Sequence, residues 1–199
     1  MPIGFGGVGR GCYRAGAMSL EARVILVALV GVVALFFGLG SILPQQWVVE
    51  TSAHVPAEPP RVVALLADFG SWQKWSTLAN SGRSSESVAV EGAPGTVGHQ
   101  LAWRATDKEA VLRLARVDKG GIEYDFLSRL GAGEPLTALG HGSVRVEPDS
   151  GGAIVHWTDS AQITGFAQRW FAWFGAQQES VKQSQQASLA KLATVLEGK

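Results

Sequence analysis

The sequence predicts an α+β domain, a sheet of antiparallel strands covered by one long C-terminal helix, preceded by a single transmembrane helix. Three observations carry this: an uncharged apolar run near the N-terminus, a middle of short alternating segments divided by turn residues, and a proline-free C-terminal stretch with helically spaced large apolar side chains.

The apolar run, VILVALVGVVALFFGLGSIL, occupies residues 24–43 without a charge. At 1.5 Å per residue, twenty residues span roughly the 30 Å of a bilayer's hydrocarbon. A cleaved signal peptide has a shorter apolar core, about 7 to 15 residues, and a small-residue cleavage site, which "SILPQQW" does not offer. The run therefore reads as an uncleaved anchor. Arg10, Arg14 and Arg23 precede it, and the next basic residue is Arg61, so the positive-inside bias places the N-terminus in the cytoplasm. The expected location is the cytoplasmic membrane, crossed once, with the C-terminal domain outside. Residues 1–23 are expected to form a disordered cytoplasmic tail; the first 17 are Gly-rich and aperiodic, and also suit an over-extended start with Met18 as initiator.

Charge excludes one class of partner. The chain has 17 basic and 17 acidic residues and no Lys/Arg stripe, so it has no field to hold nucleic acid. Its one cysteine, Cys12, permits neither an internal disulfide nor a thiolate zinc site.

After Pro44, "QWVVETSAHV" alternates, placing Trp47, Val49, Thr51, Ala53 and Val55 on one face of a strand that Pro56 ends. "PPRVVALLADF" reads as a short helix opened by proline. Ser71 is then expected to cap a second short helix, "SWQKWSTL", with Trp72 and Trp75 on one side. Six further strands follow as a meander. Their inner faces carry Leu101 with Trp103, Leu112 with Leu114, Ile122 with Tyr124 and Phe126, Val144 with Val146, and Val155 with Trp157. Phe166, Trp170, Trp173, Phe174, Val181, Leu189, Leu192 and Leu196 mark one long closing helix, kinked near Gly175.

Chemistry is sparse in this pattern. His54, His99, His141 and His156 occur singly, without metal-ligand spacing, and no nucleophile elbow is present. "GFGGVGRG" lacks the strand and the helix of a phosphate loop. By parity, His99, Thr51, Tyr124 and Ser128 are the polar groups facing the interior, where a hydrogen-bonded core role competes with a ligand-orienting one. Asp68 is expected to bond a free backbone N–H between the two short helices. Trp72 and Trp75 are expected to pack, and Phe171 and Trp173 lie off the core face of "FAQRWFAWF", toward ligand, partner or bilayer.

The stretch "RVVALLADFGSWQKWS" resembles the opening of the START-like polyketide cyclase/dehydrase and lipid-transport superfamily, through Val62, Asp68, Phe69, Trp72 and Trp75. "AIVHWTDS" is similar to the family's penultimate segment and "SLAKLATVLEG" to its closing helix, so the likeness covers residues 46–199. "GAGEPLTALGHG" departs from the family pattern and leaves the register there open. The resemblance implies a helix-grip fold, a curved antiparallel sheet around the C-terminal helix, with a cavity for hydrophobic ligands. Trp75, His99, Leu101, Trp103, Tyr124, Phe126, Trp157 and Trp170 are the expected cavity residues. No catalytic residue, metal or cofactor is expected.

The leading functional reading is a membrane-anchored module that binds a lipid or other small hydrophobic molecule. The alternative is a cyclase/dehydrase-type enzyme using cavity groups such as His99 and Tyr124 as acid and base. A scaffold that binds another protein through the long helix is the third.

Overall fold

The computed structural model describes residues 19–80, 87–131 and 133–198. The glycine-rich tail and Cys12 lie outside the described residues. The chain divides between Ile42 and Leu43 into two compact units.

The first unit's described part is helix α1, Leu20–Ile42, which starts four residues before the charge-free run because Glu21 and Arg23 are accommodated in its first turn. It is 23 residues long, and an 18-residue stretch of it has a mean hydropathy of 2.7, which makes it long and apolar enough to cross a membrane.

The second unit follows the order read from the sequence. Strand β1 (Gln46–Val55) leads to helices α2 (Pro59–Leu66) and α3 (Phe69–Trp75). Then come β2 (Ser87–Glu91), β3 (Gln100–Ala105), β4 (Lys108–Asp118), β5 (Gly121–Leu130), β6 (Thr137–Asp149) and β7 (Gly152–Gln162), and finally helices α4 (Phe166–Trp173) and α5 (Ala176–Leu196). The strands form one antiparallel sheet in the order β1-β7-β6-β5-β4-β3-β2. Two-residue turns join β3 to β4, β4 to β5 and β6 to β7, longer loops join β2 to β3 and β5 to β6, and β1 closes against β7.

Register bulges between Leu114 and Arg116 and between Phe126 and Leu127 add local twist to the longest strands. The second lies opposite the glycine-rich start of β6, where the sequence left the register open.

The inner face is buried as parity predicts, with Leu101, Leu112, Leu114, Tyr124, Val144, Val155 and Trp157 shielded beneath α5, which contributes Leu189, Leu192 and Leu196. The outer face is not wholly solvated. Ala102, Val111 and Leu127 form a small second cluster there, with Leu136 against it.

Two local expectations change. Asp68, not Ser71, caps α3: its carboxylate accepts the Gly70 N–H at 2.9 Å, as an Asp at a helix start readily does. Ser71 lies inside the helix and donates to the Leu65 and Asp68 carbonyls. The closing helix is also two helices rather than one kinked rod, since Gly175 sits at φ +73, outside the helical region.

Candidate functional site

The site grows from a gap in the inner face. Register aligns Trp47, Ala161, Gly140, Phe126 and Leu112 as one row across β1, β7, β6, β5 and β4. The second and third positions, Ala161 and Gly140, carry a methyl group and nothing, so the large side chains on either side enclose empty space. The next row reads Val49, Asp159, Gly142, Tyr124 and Leu114. A partly open pocket of about 190 Å3 lies over these rows, closed from the helix side by Val181 and Leu78.

Leu78 is held by a polar clasp. The Thr77 N–H donates to Ser188 Oγ at 2.9 Å, and Thr77 Oγ1 donates to the Ser184 carbonyl at 2.8 Å, which ties the segment after α3 to α5. The pocket surface is otherwise almost entirely apolar, apart from the floor.

At the floor runs a partly buried hydrogen-bond chain. Trp157 Nε1 donates to Tyr124 Oη at 2.8 Å, and Tyr124 Oη donates to Asp159 Oδ1 at 2.6 Å. From the helix side, Gln185 Nε2 donates to Asp159 Oδ2 at 2.9 Å, while Gln185 Oε1 accepts from Thr51 Oγ1 at 3.0 Å. Tyr124 reaches a residue two strands away only because Gly142 lies between them. A Cβ there would stand 2.1 Å from the Tyr124 ring, so glycine lets the ring lie across the β6 backbone.

The electrostatics follow from burial. Loss of hydration raises the Asp159 carboxyl above the usual carboxylate range, against the hydrogen bonds from Tyr124 and Gln185, which favour its charged form. Burial, then the neighbouring Asp159 charge, drives Tyr124 well above its ordinary value, so its hydroxyl stays protonated and donating. Asp159 Oδ1 accepts from Tyr124 and Oδ2 from Gln185, and a carboxylate oxygen can accept more than one donor. The pocket is thus an apolar slot with one acceptor-rich spot.

The expected cavity residues do not stay together. Tyr124 and Phe126 line the pocket, together with Trp47 from the predicted inner face of the first strand. Trp75, Leu101, Trp103 and Trp157 are packed in the core. Trp103 Nε1 donates to the Ala79 carbonyl, and Trp75 and Trp157 join an aromatic cluster with Phe69, Trp72 and Tyr124, ring centroids 4.9 to 6.4 Å apart. Trp170 is half-buried on α4 and is not part of the pocket lining.

His99 faces inward but away from the pocket. Its Nε2 accepts the Phe69 N–H at 3.0 Å, so Nδ1 carries the hydrogen, which points at the Glu91 and Gly92 carbonyls at 3.0 and 3.1 Å. The ring also stacks on Phe69 at 5.3 Å. Both nitrogens are used in joining α3 to the β2–β3 turn, which is the satisfied core role and leaves no free acid or base.

Periodicity alone does not single out Asp159 and Gln185. Asp159 shares the period-2 face of Val155 and Trp157, and Gln185 falls one turn from both Val181 and Leu189, but each polar residue in an apolar stripe reads as the stripe's end. Among the described residues, no three His, Cys, Asp or Glu side chains converge as a metal site would need.

Similar folds occur in solved bacterial proteins. An uncharacterized protein from Rhizobium leguminosarum is 16% identical with a TM-score of 0.53, the match covering 77% of this chain and 96% of that one. A protein of unknown function from Staphylococcus aureus is 10% identical with a TM-score of 0.52, covering 77% and 94%. A Mesorhizobium loti protein, 12% identical, gives 0.50 over 77% and 98%. No curated protein matches the chain in sequence. These likenesses establish the helix-grip architecture, a curved sheet gripping the C-terminal helix. The model of the polyketide cyclase / dehydrase and lipid transport family matches residues 46–197. With its sheet, its gripping helix and the pocket between them, the chain belongs to that family.

Proposed function

We propose that the domain binds a small apolar molecule bearing a single hydrogen-bond donor, with its apolar part in the slot and its polar end at Asp159. The observation that carries this is the pairing of an apolar pocket with one half-buried, hydrogen-bonded carboxyl at its floor. Size narrows the ligand. A dry cavity of about 150 Å3 is enough for benzene, and drug-sized ligands occupy roughly 300 Å3 or more, so a pocket of about 190 Å3 takes a ring or the end of a chain. A whole acyl chain does not fit without opening it.

In this reading α1 crosses the cytoplasmic membrane once, with the arginine-bearing end inside and the binding domain on the far face. The ligand then has a source at hand, because an apolar molecule concentrates in the bilayer to which the domain is tethered.

The test uses the full chain extracted in detergent, with organic extraction and mass spectrometry of what accompanies it, and titration with an aromatic alcohol against the same aromatic without its hydroxyl. Ala161→Phe fills the slot at the row of Gly140 and Trp47. We expect it to abolish uptake while leaving the fold's thermal transition in place. No co-purifying molecule, together with equal weak binding of both probes by wild type and Ala161→Phe, would sink the proposal.

One observation favours an enzymatic variant of this reading. The upward-shifted Asp159 carboxyl beside the Tyr124 hydroxyl is a proton donor and acceptor pair at a ligand's polar end, as a cyclase or dehydratase step needs. His99 drops out of that scheme, since both its nitrogens are engaged. Asp159→Asn would retain binding and lose turnover if chemistry occurs there.

A further inference from the structure

We propose that helix α4 is a membrane-contact element, with Phe171, Trp173 and Phe174 seated in the lipid headgroup layer and Arg169 paired with a phospholipid phosphate. This rests on the reading of α1 as a membrane span.

Three independent features of the domain meet at α4. The first is exposure: Phe171, Trp173 and Phe174 are 72%, 62% and 75% exposed, three large rings within four residues. Phe171 and Phe174 stand three apart and so share one side of the helix. Scattered apolar residues need no explanation, but adjoining exposed aromatic rings on one turn mark a contact surface.

The second is an unsatisfied polar group. A hollow of about 150 Å3 between the start of β1 and α4 is lined by Pro44, Gln46, Ile163, Arg169, Trp173 and Gln178, and Gln178 Oε1 also has no hydrogen-bond partner among the described residues. Arg169 Nε is buried at that hollow and has no hydrogen-bond partner among the described residues. Arg169 and Trp173 are four apart, on the same face as the hollow. A buried N–H on a permanently charged guanidinium calls for an acceptor, and its fork geometry suits phosphate.

The third is the tether. The Gln45 carbonyl accepts the Ile163 N–H at 2.7 Å, so the end of β7 leading into α4 is fastened to the chain just where the domain begins. Only Leu43, Pro44 and Gln45 separate α1 from β1. Three residues reach about 10 Å at most. A span ending at Ile42 therefore holds Pro44 at the bilayer surface, and Pro44 and Trp173 wall the same hollow. The chemistry fits the interface: amphipathic rings favour headgroup depth, and a guanidinium there meets phosphate oxygens. A protein partner on the same patch is the competing occupant, and the test separates the two.

The full chain is reconstituted in nanodiscs of phosphatidylethanolamine and phosphatidylglycerol, with bromine carried either high or deep on the acyl chains. The emission of Trp173 is isolated as wild type minus Trp173→Phe. Expected is quenching of that component by the shallow bromines, weaker quenching by the deep ones, and loss of quenching in Arg169→Gln. Thermal transitions of both variants should match wild type. Trp173 emission unquenched by either lipid overturns the contact, and so does a Trp173 component that Arg169→Gln leaves fully quenched, as far as the phosphate pairing goes. Alkaline carbonate extraction keeps the two readings apart. A chain released by carbonate refutes the anchor and this proposal with it; a chain retained but unquenched refutes the α4 contact alone.

Discussion

Gly142→Ala tests how the pocket floor is built. The φ of Gly142 does not lie in the left-handed region, so the backbone accepts alanine and the cost must come from contact. The new Cβ would meet Tyr124 Cζ, Cε2 and Oη at 2.1, 2.4 and 2.5 Å. Reaching the roughly 3.5 Å of an ordinary carbon contact requires the ring to move by about 1.4 Å. A shift of that size carries the hydroxyl away from both Asp159, now at 2.6 Å, and Trp157, now at 2.8 Å. Overpacking costs about 1 to 3 kcal/mol and two weakened hydrogen bonds about 1 kcal/mol each, so a loss of about 3 to 5 kcal/mol is expected. Thermal and urea unfolding of the full chain, followed by near-ultraviolet circular dichroism, reads it. The decisive measurement is the double-mutant cycle with Tyr124→Ala, in which the clash has no partner and Gly142→Ala should cost under about 0.5 kcal/mol. An equal cost in both backgrounds would refute the account of Gly142 as the residue that admits the tyrosine.

Asp159 should leave a signature in the pH dependence of stability. Its carboxyl is raised in the folded protein above its unfolded value, so the folded state holds the proton more tightly, and this contribution is full at low pH and lost as pH rises through the shifted range. Asp159→Asn should flatten that slope in urea titrations across the mildly acid range, and a slope identical to wild type would speak against a raised carboxyl. His99→Ala leaves the Phe69 N–H and a ring-sized gap, and should destabilise by about 2 to 4 kcal/mol while the folded fraction keeps its ligand affinity, measurable by calorimetry. Trp72→Phe orphans the Leu66 carbonyl that Trp72 Nε1 serves at 2.8 Å, whereas Trp75 Nε1 has no hydrogen-bond partner among the described residues. Trp72→Phe should therefore cost about 1 kcal/mol more than Trp75→Phe in chemical denaturation, and the reverse order would contradict the hydrogen-bond assignment.

The stretch around Trp72 and Trp75 shows how far local reading reaches. Spacing placed both rings on one side of a short helix, and they are fully buried there. It did not decide the cap, because Asp68 and Ser71 are both good capping residues and only the turn of the chain after Ala67 brings the Asp68 carboxylate to the Gly70 N–H. His99 is a similar case. Parity correctly turned it inward, but whether an inward histidine faces a ligand or a backbone amide depends on α3, thirty residues earlier in the chain.

Short-range pattern determines most of this protein: the apolar span follows from an unbroken run without a charge, and the seven strands with their buried faces and the helices that cover them follow from side chains repeating at 2.0 or 3.6 residues. The pocket does not. It exists because Gly140, Gly142 and Ala161, on two strands, line up across the sheet between Trp47, Phe126 and Tyr124, and because Gln185 and Asp159 meet from elements 26 residues apart. A missing side chain leaves no periodic signal, and a carboxyl becomes a buried anchor only when strand register and the gripping helix close around it. Those are long-range contacts, which only the tertiary structure decides.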